Sequence, residues 1–330
     1  MIKPIFTLFA SVTLLLLVSA CQKNERQQTL KLAHTLNIDH PVHKALMYMA
    51  ERLKEKSNGT MAIDIYPSGQ LGGERELIEL LQIGSLAMTK VSSSPLEEFI
   101  DEMKVFSTPY LFEDNDHFWR TLNGDIGRHI LLSGESVYLR GLGFYDAGSR
   151  SFYSVDKPIH TPDDLAGLKI RVQQSQSAIQ MVNTLGGSAT PIAWGELYTA
   201  LQQGVVDGAE NNPPSFWSSK HFEVAKYYTL DEHTMVPDII LISQYTWDHL
   251  NPQQQGWLQS AMDESVIYQR KLWAEATEKA LEAVAAAGVE IIRPNKAPYQ
   301  KKVQSTAASA AQDQPQINKD IINNIKLLRK

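Results

Sequence analysis

The sequence predicts an α/β protein of two units in series, each a mainly parallel sheet flanked by helices, joined by crossing strands and by one long helix. Three observations support this. Segments with period-two apolar alternation, such as Met61 to Tyr66 and Leu168 to Val172, are separated by amphipathic segments with helical spacing. Glycines close most of these segments, at Gly69, Gly84, Gly186, Gly204 and Gly288. The strand-helix alternation runs once before about residue 148 and again after it, which is the order that builds parallel sheets covered by helices on both faces.

The chain of 330 residues opens with Lys3, an apolar stretch from Leu8 to Val18, and the small residues Ser19 and Ala20 before Cys21. Residues 1–20 therefore read as an export signal, too short in its apolar part for a spanning helix of about 20 residues. Leu17-Val18-Ser19-Ala20-Cys21 resembles a bacterial lipobox, which would make Cys21 the lipidated first residue of the mature protein; the alternative is cleavage after Ala20 to leave a free thiol. Cys21 is the single cysteine, so an intrachain disulfide is excluded. Residues 21–29 read as a polar tether, and the roughly 300 residues beyond favour two domains.

In the first unit, Leu30 to Ala33 is a short strand ending at His34. After Asp39-His40-Pro41 a helix places Val42, Leu46, Met49 and Leu53 on one stripe. Met61 to Tyr66 is the next strand, Glu74 to Ile83 a helix capped by Gly84, and Ala87 to Ser92 a further strand. The second unit begins near Gly148. Ser149 to Val155 reads as a strand, Thr161-Pro162 caps a short helical turn, and Lys169 to Gln173 is a strand. Ser175 to Leu185 and Gly195 to Gln203 read as helices. Ile239 to Ser243 is a buried strand, and Asn251-Pro252 opens a long helix to Ala287. Val289 to Ile292 is a strand candidate, and Ile317, Ile321, Ile325 and Leu328 form the stripe of a terminal helix. The resulting division is 30–148 plus about 238–272 for domain I and 149–237 plus about 273–330 for domain II, with the helix 251–287 spanning both.

A formal net charge of −6 argues against a nucleic-acid surface. His34, His40 and His43 lie within ten positions, but no His-Glu-x-x-His pattern occurs, so no metal is expected. No Gly-x-Ser-x-Gly elbow or phosphate-binding glycine pattern is present; Gly141-Leu142-Gly143-Phe144-Tyr145-Asp146 ends in aspartate where a dinucleotide fingerprint needs a small residue. An enzyme and a bound cofactor are therefore not expected. The chemistry that does stand out is Arg171, on a strand whose alternation aims Lys169 and Arg171 away from Leu168, Ile170 and Val172. A guanidinium on a rigid strand forks a carboxylate in a way lysine cannot copy.

Four segments carry a resemblance. Ile65-Tyr66-Pro67-Ser68-Gly69-Gln70-Leu71-Gly72, Pro109-Tyr110-Leu111-Phe112, Leu165-Ala166-Gly167-Leu168-Lys169-Ile170-Arg171-Val172 and Gly204-Val205-Val206-Asp207-Gly208-Ala209-Glu210-Asn211, in that order, resemble the substrate-binding proteins of tripartite ATP-independent periplasmic (TRAP) transporters, over about Leu30 to Ile292. The resemblance implies two α/β domains that close on a carboxylate ligand, with Arg171 as the carboxylate fork, Asn211 as its support, Arg150 as a second arginine and Trp194 as a wall. It also implies a periplasmic location and delivery to the membrane subunits of a permease, with membrane contact otherwise only through an anchor at Cys21.

The residues around Arg150, Trp194 and Asn211 are similar to the uronate-binding subgroup, which favours D-glucuronate or D-galacturonate. Such a ligand needs several partners, because a buried hydroxyl left unpaired costs about 1–3 kcal/mol. His34, Glu74 and Lys90 stand at the strand ends and helix start where such partners belong. Each site residue has a structural alternative: Arg171 in an interdomain ion pair, Arg150 at the surface, Asn211 in a turn, Glu74 complementing a helix dipole, Trp194 in the core. For the chain, the alternatives are a receptor for a C4-dicarboxylate, aldonate or 2-oxo acid, a sensor subunit, and a uronate-processing enzyme on the same fold.

Overall fold

The computed structural model of the chain describes residues 27–304 and 315–329; the export signal and Cys21 lie outside them. The first sheet is built on β1 (Gln28–Ala33), β2 (Met61–Tyr66) and β3 (Met88–Ser92), which pair in parallel in the order β2-β1-β3. β10 (Asp238–Ser243) and β4 (Leu139–Tyr145) complete it as β2-β1-β3-β10-β4, with β10 antiparallel to both of its neighbours. All six residues of β10 are buried, as expected of a central strand covered on both faces. The helix Pro41–Lys56 lays Val42, Leu46, Met49 and Leu53 against this sheet as the stripe predicts. His40 caps the helix: its Nδ1 accepts from the Val42 N–H at 3.2 Å.

The second sheet runs β11-β9-β5-β8-β6-β7. Its strands are β5 (Arg150–Ser154), β6 (Lys169–Val172), β7 (Ser188–Pro191), β8 (Gly208–Asn211), β9 (Tyr227–Thr234) and β11 (Glu290–Ile292). β6 is parallel to β7 and β8, β11 is parallel to β9, and β5 is antiparallel to β8 and β9. Both sheets are thus mixed. The antiparallel pairs arise where the chain passes directly from one sheet to the other, β4 to β5 and β9 to β10, because a strand arriving that way needs no crossover helix. At the first crossing Gly148 has φ +57°, and a Cβ there would sit 3.0 Å from the Trp273 indole nitrogen, so both backbone conformation and space require glycine.

The helix Pro252–Ala286 spans the two sheets. It starts in a capping box between Asn251 and Gln254 and, at 35 residues, is about 52 Å long. Its Leu258, Ala261 and Met262 join the core cluster of the first sheet and its Val284 that of the second. The terminal helix Gln316–Leu327 departs from the division read in the sequence, which places it in domain II. Ile321 and Ile325 join the first-sheet core beside Met103 and Phe118, and Ile325 O lies 2.9 Å from His117 Nε2. An apolar stripe specifies that a helix docks; it does not specify on which body.

The two units are in contact across the cleft between them. Ser175 Oγ and Ser177 N donate to the buried Glu97 carboxylate at 2.7 and 2.9 Å, and Asn37 Nδ2 donates to Ser218 O at 2.6 Å.

Candidate ligand-binding site

A cavity opens where the carboxyl ends of β3, β6 and β8 face one another, the position at which open α/β sheets receive ligands. Its cavity volume, as room for water-sized molecules, is about 60 Å³. Glu74, Lys90 and Asp238 line it from the first unit; Arg150, Arg171, Trp194 and Asn211 line it from the second.

Arg171 is the singular group. Strand alternation aims Lys169 and Arg171 to the same side; Lys169 is exposed while Arg171 retains 3 % of its surface, because the cleft covers only the carboxyl end of β6. Its Nε donates to Ile192 O at 2.9 Å, and its guanidinium carbon lies 5.8 Å from the Trp194 ring centroid. NH1 is buried with no hydrogen-bond partner, and no carboxylate lies within ion-pair distance among the described residues. Burial, with Arg150 nearby, pushes its pKa down from the usual arginine value. An unpaired buried charge is costly unless something neutralises it. The interdomain ion pair is therefore not the explanation of this arginine, whose NH1 remains an unused donor.

Arg150 is in a different state. Its guanidinium forks Glu210, with NH2 to Oε1 at 2.8 Å and Nε to Oε2, and NH2 also donates to Glu210 O at 2.7 Å. NH1 donates to Asn211 Oδ1 at 3.1 Å. Burial alone would raise Glu210, but Arg150 and His233 overcome it and hold the carboxyl down to about 2. His233 sits 2.9 Å from Asp231 and 3.5 Å from Glu210; burial would lower it, yet the two carboxylates raise it to about 9. Most of the Arg150 fork is thus engaged, and its charge is balanced by Glu210. Asn211 Oδ1 also accepts from Asn212 N at 2.9 Å. Its oxygen is doubly engaged, which orients the amide and leaves its NH₂ group for a ligand. β8 ends here because Asn212 caps the next helix, accepting from Ser215 N at 2.9 Å. The turn that is the structural alternative for Asn211 is here a strand end followed by a helix cap.

On the first unit Lys90 lies between two carboxylates, 2.8 Å from Asp238 and 3.3 Å from Glu74. Burial pushes the Asp238 carboxyl up to about 6, with Lys90 opposing. Glu74 opens the helix Glu74–Gln82 and also accepts from Ser92 N at 3.2 Å. His34 does not join them. It is fully buried behind the cavity, its Nε2 3.0 Å from His43 Nδ1, and burial with Lys90 nearby pushes its pKa down to about 3, so it is neutral. The Leu36 side of the turn after His34 reaches the cavity instead. Trp194 forms the lip and packs against the apolar clusters of both units.

Sequence reasoning missed Asp238, Glu210 and His233. A signal existed for two of them: Asp238 heads a strand whose next four residues are apolar, and Glu210 stands one residue before the end of a strand in which every residue is buried. Charges at such positions are almost never buried unless paired. His233 had no local signal, since its partners come from β8 and from its own strand.

Two α/β units bridged by two crossings and one spanning helix, with an arginine in the cleft that has no ion pair among the described residues, point to a solute-binding protein. The profile of the DctP family, bacterial extracellular solute-binding proteins of family 7, matches residues 32–314, and the chain belongs to that family. A TRAP periplasmic solute-binding protein from Xanthobacter autotrophicus, solved with bound β-D-galacturonate, superposes with a TM-score of 0.87 at 40 % identity, covering 91 % of this chain and 100 % of that one. One from Anaerococcus prevotii with bound D-glucuronate gives 0.89 at 34 %, covering 92 % and 98 %. The C4-dicarboxylate-binding periplasmic protein DctP of Rhodobacter capsulatus is 33 % identical over 260 residues, 78 % of each chain. The chain is thus a receptor and not an enzyme, and its place is the periplasm.

Proposed function

We propose that this protein is the receptor of a TRAP transporter for a hexuronate, D-glucuronate or D-galacturonate, which it encloses between its two units and delivers unchanged to the membrane permease. The observation that carries the reading is the Arg171 guanidinium, buried to 3 % exposure, whose NH1 has no hydrogen-bond partner and which has no carboxylate within ion-pair distance among the described residues. A carboxylate there completes the charge, and Asn211 adds donors beside it. The fork alone contributes about 1.5–3 kcal/mol for each charge-assisted bond. A micromolar complex needs roughly 8 kcal/mol, so hydroxyl contacts and closure must supply the rest. The two structural relatives with bound uronates, matching over nine-tenths of this chain, support the sugar-acid assignment.

In this reading Arg171 and Asn211 hold the carboxylate. Arg150 positions Asn211 and is neutralised by Glu210. Trp194 offers a flat face to the ring, and Glu74 and Lys90 act at the hydroxyl end. His34 supports the wall from behind. The moving bodies are 30–148 with about 238–272, and 149–237 with 273–304. Cys21 anchors the mature protein to a membrane by its lipid. A thermal-shift screen of the mature protein against sugar acids, aldonates, C4-dicarboxylates and 2-oxo acids tests the assignment. Stabilisation by uronates alone supports it, whereas stabilisation by dicarboxylates and not by uronates overturns the ligand while leaving a receptor.

A further inference from the structure

The cavity is polarised, and the polarity bears on how the site chooses among acids; the step rests on the uronate reading above. On the Arg171 side the guanidinium and two amides offer donors. Arg171 NH1 has no partner. The amide oxygens of Asn211 and Asn212 are engaged by N–H groups, which leaves their NH₂ groups. The opposite wall is the reverse. Among the described residues Lys90 is the one cation within ion-pair distance of Glu74 or Asp238, so two carboxylates share a single ammonium. Glu74 uses Oε1 for both Lys90 and Ser92 N. Asp238 uses Oδ1 for Lys90 at 2.8 Å. Among the described residues no hydrogen bond reaches Glu74 Oε2 or Asp238 Oδ2.

We propose that Asp238 determines specificity: its Oδ2 accepts a hydrogen bond from a ligand hydroxyl at the end remote from the carboxylate, and the excess negative charge of this wall rejects a ligand that carries a second carboxylate there. A hydroxyl can donate to that oxygen, whereas a carboxylate can only accept. A C4-dicarboxylate would therefore set acceptor against acceptor and like charge against like charge. Asp238 carries more of this discrimination than Glu74, because its side chain keeps 7 % of its surface against 13 %. A drier acceptor is worth more when satisfied and costs more when opposed. Its place reinforces the role. Asp238 follows the crossing at Val236-Pro237 and is held in register between Ser92 of β3 and Tyr145 of β4.

The test is calorimetric titration of wild type and Asp238→Asn with D-glucuronate, D-galacturonate and succinate. Asp238→Asn keeps the shape, removes the charge and exchanges an acceptor oxygen for an NH₂ donor. The expected result is a loss of about 10- to 100-fold in uronate affinity, the range of one hydrogen bond to a charged group, with a rise in succinate affinity. The uronate-to-succinate ratio then moves by more than either affinity alone, a change that a merely structural aspartate would not produce. A folded Asp238→Asn that binds uronates within threefold of wild type at an unchanged ratio overturns the proposal. A measurement without any substitution covers the case in which the variant does not fold: wild-type affinity for uronates lacking one ring hydroxyl at a time. At least one deletion should lower affinity about tenfold or more, and uniform affinity across the set overturns the proposal. Wild type that binds succinate and no uronate contradicts the uronate reading itself, a separate and recognisable failure.

Discussion

Replacing Arg171 by methionine should abolish uronate binding while leaving the unliganded protein nearly as stable as before. The bound carboxylate loses its fork and stays buried without a counter-charge, which costs about 3–5 kcal/mol, or about 100- to 4,000-fold in Kd. In the unliganded protein the same change removes a cation that lacks an ion pair among the described residues; the 2.9 Å bond from Nε to Ile192 O and the guanidinium's contact with the Trp194 ring are lost. That bond is worth about 1 kcal/mol, at most about 2–4 °C in Tm, and relief of the buried charge opposes the loss. Arg150→Met is the control. It strands Glu210, buried to 2 %, beside His233 alone. The expected loss is about 3–5 kcal/mol, on the order of 10 °C in Tm. Calorimetric titration and thermal melts of both variants decide the matter. Uronate affinity within tenfold of wild type in Arg171→Met would refute the reasoning, and so would a loss of unliganded stability as large as that of Arg150→Met.

Three further outcomes follow from the same structure. His233 has a folded pKa raised to about 9, above an unfolded value of about 6.5; its stabilisation is complete below pH ~6.5 and lost as pH rises through ~9. The melting advantage of wild type over His233→Gln should therefore shrink between pH 6.5 and 9.5, and a constant difference contradicts the assignment. At Gly208, where β8 lies between β5 and β6, a Cβ would sit 2.4 Å from Tyr153 O. Gly208→Ala should thus lower stability by about 1–3 kcal/mol in denaturant melts, and an unchanged midpoint contradicts the packing. Cys21→Ser should move the protein from the membrane to the soluble fraction of its host, and intact-mass analysis of the wild-type amino terminus should show the lipid. An unmodified thiol at Cys21 sinks the anchor.

The elements legible in the sequence were those with a clean period or a strong cap. The buried stripe of Pro41–Lys56, the capped start of Pro252–Ala286 and the alternation of β2 were all readable within a residue or two. β4 and β9 were not. β4 is interrupted by Gly141 and Gly143, and β9 carries Asp231, Glu232 and His233, which deny it an apolar pattern although most of its residues are buried. They are the strands after which the chain passes to the other sheet. The site shows the same division. Arg171, Asn211 and Trp194 stand in local motifs, and all three line the cavity. The pairing of Arg150 with Glu210, and of Lys90 with Asp238, joins residues 60 and 148 positions apart and only the fold displays it. His34 was misplaced by a small geometric fact, that its ring turns toward His43 while the chain beyond it lines the cavity.

The most direct test of the central claim is equilibrium titration of the mature protein with D-glucuronate and D-galacturonate, followed by release and identification of the bound molecule. The account predicts saturable one-to-one binding in the micromolar range or tighter, with the uronate recovered unchanged. Absence of saturable binding to either uronate, or recovery of an isomerised or cleaved product, would contradict it.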